Sequence, residues 1–127
     1  MCGQDKDQSP SFHAHVYFGT DTVEKARDIC ISCSEKFAIT MGRMHLRPVG
    51  PHPDFSCQLT IPPEKVGDVL SWLSRNRDGL VVFSHPSTGD GYKDHTDHAI
   101  WMGSIRPLNL KIFSVLNYTN KISPPGS

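Results

Sequence analysis

The sequence predicts an α+β fold of the ferredoxin-like, split βαβ kind, and three observations carry that prediction. Strand-like and helix-like stretches follow in the order strand, helix, strand, strand, helix, strand. Apolar residues recur every second residue in the former and every third or fourth in the latter. Proline and glycine clusters separate them. In such a fold two helices cover one face of an antiparallel sheet, and the other face is expected to stay open.

Residues 1–11 are polar and expected to be disordered, as is 117–127, which ends in Pro-Pro-Gly-Ser. Between them, 12–116 reads as a single domain. The first strand, 12–18, carries Phe12, Ala14, Val16 and Phe18 on one face and His13, His15 and Tyr17 on the other. A helix is predicted from about Asp21 to Phe37, opened by a capping box of Asp21 and Glu24, with Val23, Ala26, Cys30, Cys33 and Phe37 as its apolar stripe. That stripe makes Cys30-Ile31-Ser32-Cys33 a pair of buried thiols rather than a redox or zinc motif. The second strand is expected over 39–47. It ends at Pro48-Val49-Gly50-Pro51-His52-Pro53, a stiff loop. A third strand, 55–61, alternates Phe55, Cys57, Leu59 and Ile61 against polar residues, and Pro62-Pro63 suits the opening of a second helix bearing Val66, Val69, Leu70 and Leu73. The turn signal Asn76-Arg77-Asp78-Gly79 leads to a fourth strand over 80–84. Further on, 99–102 reads as a short strand, and Leu108, Leu110 and Ile112 alternate like an added C-terminal edge strand.

With 13 basic and 13 acidic residues interspersed, the chain has no electrostatic footprint for nucleic acid or an anionic membrane. No apolar run approaches the ~20 residues of a bilayer span. The polar first residues lack the pattern of a secretory signal, so a cytoplasmic protein with reduced thiols is expected. A small molecule or a second copy of the chain is the expected partner.

Seven histidines dominate the chemistry: His13, His15, His45, His52, His85, His95 and His98. Positions two apart on a strand point the same way, so His13 and His15 present side-by-side imidazoles, a donor type suited to zinc, copper, iron and nickel. In this fold the first and fourth strands are antiparallel neighbours, which brings His85 beside the pair. Three imidazoles can therefore converge. His52 is held in the proline loop. His95 and His98 have Asp94 and Asp97 as neighbours, carboxylates that could orient an imidazole, or serve as an acid-base pair of histidines. Arg43, His45 and Arg47 share one face of the second strand and could hold a substrate carboxylate, solvated edge charge being the alternative.

Three motifs, Phe-His-Ala-His-Val-Tyr-Phe at 12–18, Arg-Pro-Val-Gly-Pro-His-Pro at 47–53, and His-Pro-Ser-Thr-Gly-Asp at 85–90 followed by Asp94-His95 and Ile100-Trp101-Met102-Gly103, resemble the DOPA 4,5-dioxygenase family. The betalain-pigment enzyme of fungi and many small bacterial proteins belong to it. The resemblance covers about 12–103. It implies a ferredoxin-like fold, often a homodimer, and extradiol cleavage of L-DOPA or a related catechol by O2 at a non-haem iron(II). The histidines matching its motifs are His13, His15, His52, His85 and His95. On this reading His13, His15 and His85 are the metal ligands and His52 and His95 the acid-base residues. Arg43, Arg47 and Tyr17 contact the substrate. An all-histidine triad and a carboxylate arriving from Asp94 or Asp97 both stay open, as does a role for His45 or His98. The rival readings are another histidine-site metalloenzyme, such as a zinc hydrolase or lyase, and a non-catalytic dimer that binds a metal or small ligand.

Overall fold

The computed structural model describes residues 9–113; residues 1–8 of the predicted N-terminal tail, 114–116 of the predicted domain and the whole predicted tail 117–127 lie outside the described residues. β1 (Phe12–Phe18) is the middle strand of a five-stranded antiparallel sheet of order β2-β3-β1-β4-β5. The other strands are β2 (Thr40–Met41), β3 (Phe55–Ile61), β4 (Val82–Pro86) and β5 (Ile100–Met102). Helices α1 (Val23–Phe37) and α2 (Val66–Asn76) pack on the face predicted to be apolar, and a one-turn helix, α3 (Gly91–Asp94), lies between β4 and β5. The order and the two-layer arrangement are those of the ferredoxin-like prediction.

Period-two alternation builds the core. Ala14, Val16 and Phe18 of β1, Cys57, Leu59 and Ile61 of β3, and Val82 of β4 meet Ala26, Ile29, Cys30 and Cys33 of α1 and Val69 and Leu73 of α2. The predicted cysteine stripe is thus part of the interior, and burial pushes the Cys33 thiol up to about 11, away from the thiolate that redox or zinc chemistry needs.

Several boundaries differ from the prediction. α1 opens at Val23, after a 3-10 turn over Thr20–Thr22, and Thr22 Oγ1 accepts from the Gly19 N–H at 2.9 Å, so the Asp21 capping box does not form. Leu80 belongs to the turn after α2, its N–H donating to Arg77 O, and β4 accordingly runs two residues later than expected and includes His85. The expected strand over 108–112 is absent: 105–109 are irregular and 111–113 helical. Pro107 removes a ladder donor, and the Asn109 N–H is spent on Pro51 O of the proline loop at 2.8 Å. The added edge strand is β5 instead.

The second strand shows the largest difference. Instead of spanning 39–47, β2 is two residues long, with Thr40 opposite Thr60 and Met41 opposite Leu59. That register, continued, would set Met44 opposite Ser56. His45 stands there instead, in an isolated antiparallel bridge. One extra residue has been taken up between Gly42 and His45, a β-bulge, which reverses the facing of everything beyond it.

The second face of the sheet is not open as predicted. The proline loop, α3 and the segment leading to Phe113 cover it, and His15, Tyr17, His52, His85, His95 and Phe113 are all buried. Among the described residues no helix is long and apolar enough to cross a membrane.

Leu59 is fully enclosed on β3, one strand from the centre. Leu59→Ala should cost about 2–5 kcal/mol in urea unfolding, because the neighbouring strands cannot collapse into the space. Leu46→Ala, at a residue 59% exposed, should stay within about 0.5 kcal/mol of the parent. Equal midpoints for the two variants would contradict this core.

Candidate metal centre

The face of the sheet away from α1 and α2 is read off the same alternation. β1 contributes His13, His15 and Tyr17; in register beside them β3 sets Thr60, Gln58 and Ser56, and β4 sets His85 opposite His13 and Phe83 opposite His15. β5 adds Trp101 opposite Phe83. His13, His15 and His85 each offer a ring nitrogen, and these atoms all lie within 4.8 Å of one another. The Nε2 atoms of His15 and His85 are 3.2 Å apart.

That separation fits two ligands of one ion. Imidazole nitrogens about 2.0–2.1 Å from a common metal, at angles between octahedral and tetrahedral, stand roughly 2.8–3.4 Å apart. Tautomers agree with this use. His85 Nδ1–H donates to Pro86 O at 2.8 Å, which leaves its Nε2 lone pair facing His15. His13 Nδ1 is buried without a hydrogen-bond partner. Burial, first of all, depresses the pKa of each: His13 is lowered against the opposing field of Asp94, His85 falls to about 3, and His15 falls well below its ordinary value, with His52 and His85 adding repulsion. The cluster is therefore neutral at neutral pH, the form in which imidazole binds metal.

Two further histidines close over the trio. His52, carried by the proline loop, lies with its ring centroid 4.1 Å from that of His15, and its Nδ1 is 2.7 Å from the Tyr17 hydroxyl. Desolvation, reinforced by Asp54, raises the Tyr17 pKa, so Tyr17 stays a phenol with a proton to donate. His95 follows α3, its ring 4.2 Å from His85 and stacked 4.3 Å from Phe113. Its Nδ1–H donates to Gly91 O at 2.8 Å; its Nε2 is buried with no hydrogen-bond partner. Asp90 caps α3 by accepting from the Lys93 N–H.

The carboxylates stand aside. Asp94 is buried, but its oxygens accept from the Thr88 N–H and hydroxyl at 2.8 and 2.7 Å, and His98 Nδ1 lies 3.0 Å away. Among the described residues the converging donor set is all imidazole. His98 and Asp97 are exposed, as are Arg43 and Arg47, whereas His45 lines a small cavity with His15 and His52.

Sequence reasoning missed the aromatic wall. Phe83 stacks on Trp101 with centroids 4.4 Å apart and lies 5.7 Å from His15. Its signal was present, since Phe83 is two residues before His85 on one strand. Phe113 carried no such signal, for it reaches His95 through an irregular segment.

A two-layer α+β domain with buried, neutral imidazoles converging on one sheet face defines the class: a candidate metalloprotein built on an antiparallel sheet. The family model for the Dopa 4,5-dioxygenase family matches residues 12–112, and the chain belongs to that family. It is 31% identical over 108 residues to a DOPA 4,5-dioxygenase of Amanita muscaria, a match covering 78% of this chain and 47% of that protein. It is 32% identical over 114 residues to an uncharacterized 21.2 kDa protein of Botryotinia fuckeliana, covering 80% of this chain and 62% of the relative. The chain thus spans about half to three fifths of the length of these relatives. The crystal structure of a candidate dioxygenase from Nostoc punctiforme matches with a TM-score of 0.74 at 33% identity, over 87% of this chain and 99% of that one.

Depressed histidines tie stability to pH. An unfolded imidazole titrates near 6.5, above the folded values, so the unfolded chain takes up protons first as pH falls, and stability is lost below about 6.5 down to the folded pKa. The metal-free protein should lose at least about 2 kcal/mol of unfolding free energy between pH 7.5 and 5.0, and His85→Gln should lose less. Urea midpoints at the two pH values measure this; a loss of the same size in His85→Gln would refute the assignment.

Proposed function

We propose that this chain is an extradiol dioxygenase that opens the ring of L-DOPA or a related catechol with O2 at a non-haem iron(II) held by His13, His15 and His85. The observation that carries the proposal is the trio of imidazole nitrogens within 4.8 Å of one another, two of them on buried residues and the third on half-buried His13. Family membership and the DOPA 4,5-dioxygenase of Amanita muscaria support the reaction class and the substrate class.

Iron(II) supplies, when bound, a Lewis-acidic and redox-active centre that activates a diol and dioxygen toward one another. The remaining work belongs to side chains. His95 keeps its proton on Nδ1, bound to Gly91 O, and turns an unprotonated Nε2 inward, which suits it to take a proton from a catechol hydroxyl. His52 is held at Nδ1 by Tyr17; with the phenol donating, its proton sits on Nε2, where it can be given to a ring-opening product. Tyr17 then serves the substrate by orienting His52. Phe83 and Trp101 form an apolar wall beside His15 against which an aromatic ring can lie. For an amino-acid substrate, Arg43 and Arg47, exposed on the segment around His45, are the cations proposed to grip the carboxylate.

Anaerobic loading with iron(II), followed by L-DOPA and oxygen, should give oxygen uptake and a yellow product. Iron-loaded protein that consumes no oxygen with any catechol offered ends the proposal. His15→Ala and His85→Ala should each lose most of the bound iron, and full iron content in both would sink the ligand assignment. His95→Gln should keep its iron while turnover falls by about 10²- to 10⁴-fold; wild-type turnover in that variant would remove His95 from the mechanism.

A further inference from the structure

The bulge between β2 and β3 has a chemical result. In the register of β2, His45 would fall on the side of Met41, toward the helices. The extra residue turns it over. His45 exchanges both backbone hydrogen bonds with Ser56, at 2.9 and 3.2 Å, and Ser56 is the register partner of Tyr17, so the His45 side chain comes to the face of His13 and His15.

There it lines a cavity of about 50 Å³ with His15, Val49, His52, Ser56 and Gln58. His15, only 1% exposed, has its ring on the border of this cavity. The His45 ring is half-buried and makes no hydrogen bond to any described residue. The space is too small for an aromatic ring but takes its polar edge or a few waters. Three imidazoles, a hydroxyl and an amide around it match a hydroxyl group far better than apolar dioxygen.

We propose that this cavity receives one hydroxyl oxygen of an aromatic diol and that His45 is the specificity-determining residue that hydrogen-bonds it. The inference rests on the reading of His13, His15 and His85 as the metal centre of a catechol enzyme. It adds a sixth histidine, acting on the ligand rather than on the metal.

The test uses the full chain loaded with zinc, which cannot oxidise a diol, and 4-nitrocatechol as the probe, its own absorbance reporting binding. His45→Phe should keep the zinc content and thermal midpoint of the parent while binding nitrocatechol at least about tenfold more weakly. His45→Gln, which keeps a hydrogen-bonding end, should stay within about threefold. Parental affinity in His45→Phe overturns the inference and leaves the proposed function standing, and so does an equal loss in His45→Gln. Should His45→Phe lose zinc, His45→Ala decides by the same criterion. Zinc-loaded parent that binds no nitrocatechol overturns both the inference and the catechol reading on which it rests.

Discussion

The pairing of β1 with both neighbours is the constraint on which the rest of the molecule depends. β1 is hydrogen-bonded to β3 on one side and β4 on the other, in a register that sets His13 opposite His85 and Ala14 opposite both Leu59 and Ser84. Side chains on a strand alternate strictly, so a slip of one residue would carry His13 and His15 into the helix-covered core and Ala14 and Val16 out of it. Burying unpartnered imidazoles among Leu59, Ile61 and Leu73 costs several kcal/mol in desolvation. The hydrophobic core and the histidine cluster are thus two faces of one register, and neither can be altered without the other.

The imidazoles are anchored by main-chain carbonyls and a phenol rather than by carboxylates. Pro86 O holds His85, Gly91 O holds His95 and Tyr17 holds His52. Neutral anchors fix the tautomers without adding charge. A divalent ion held by neutral imidazoles would keep its full double charge, which would favour an anionic ligand. The buried Asp94 exerts its negative charge on His13, His85 and His95, and Thr88 and His98 already engage it.

Much of this was legible in the sequence because it follows from local periodicity. Phe12–Phe18 shows its two faces without any knowledge of partners, and the usual strand order of the fold then brings His85 to His13. What escaped depends on pairings distant in the chain. The bulge before His45 cannot be seen in Gly42-Arg43-Met44-His45, since a bulge is defined by the opposing strand, here Gln58 and Ser56. Leu108, Leu110 and Ile112 alternate as a strand does, yet Pro107 and the bond from Asn109 to Pro51 divert them across the histidine face, where they deliver Phe113 to His95. The covered state of that face follows from this segment together with the proline loop and α3, and it was invisible for the same reason.

The described cysteines sit on the far side of this partition. Cys30, Cys33 and Cys57 lie beneath the sheet with the helices, while every imidazole of the cluster lies above it; on β3, Cys57 and Gln58 are adjacent in sequence and face opposite layers. Sulfur and nitrogen donors are therefore sorted by one thickness of backbone. Among the described residues no mixed sulfur and nitrogen set is offered to a soft ion such as copper(I), which prefers thiolate; the imidazole cluster suits metals content with nitrogen and oxygen. Any reactive oxygen species released above the sheet meets rings and amides first, with the thiols shielded by the strand that holds the centre together.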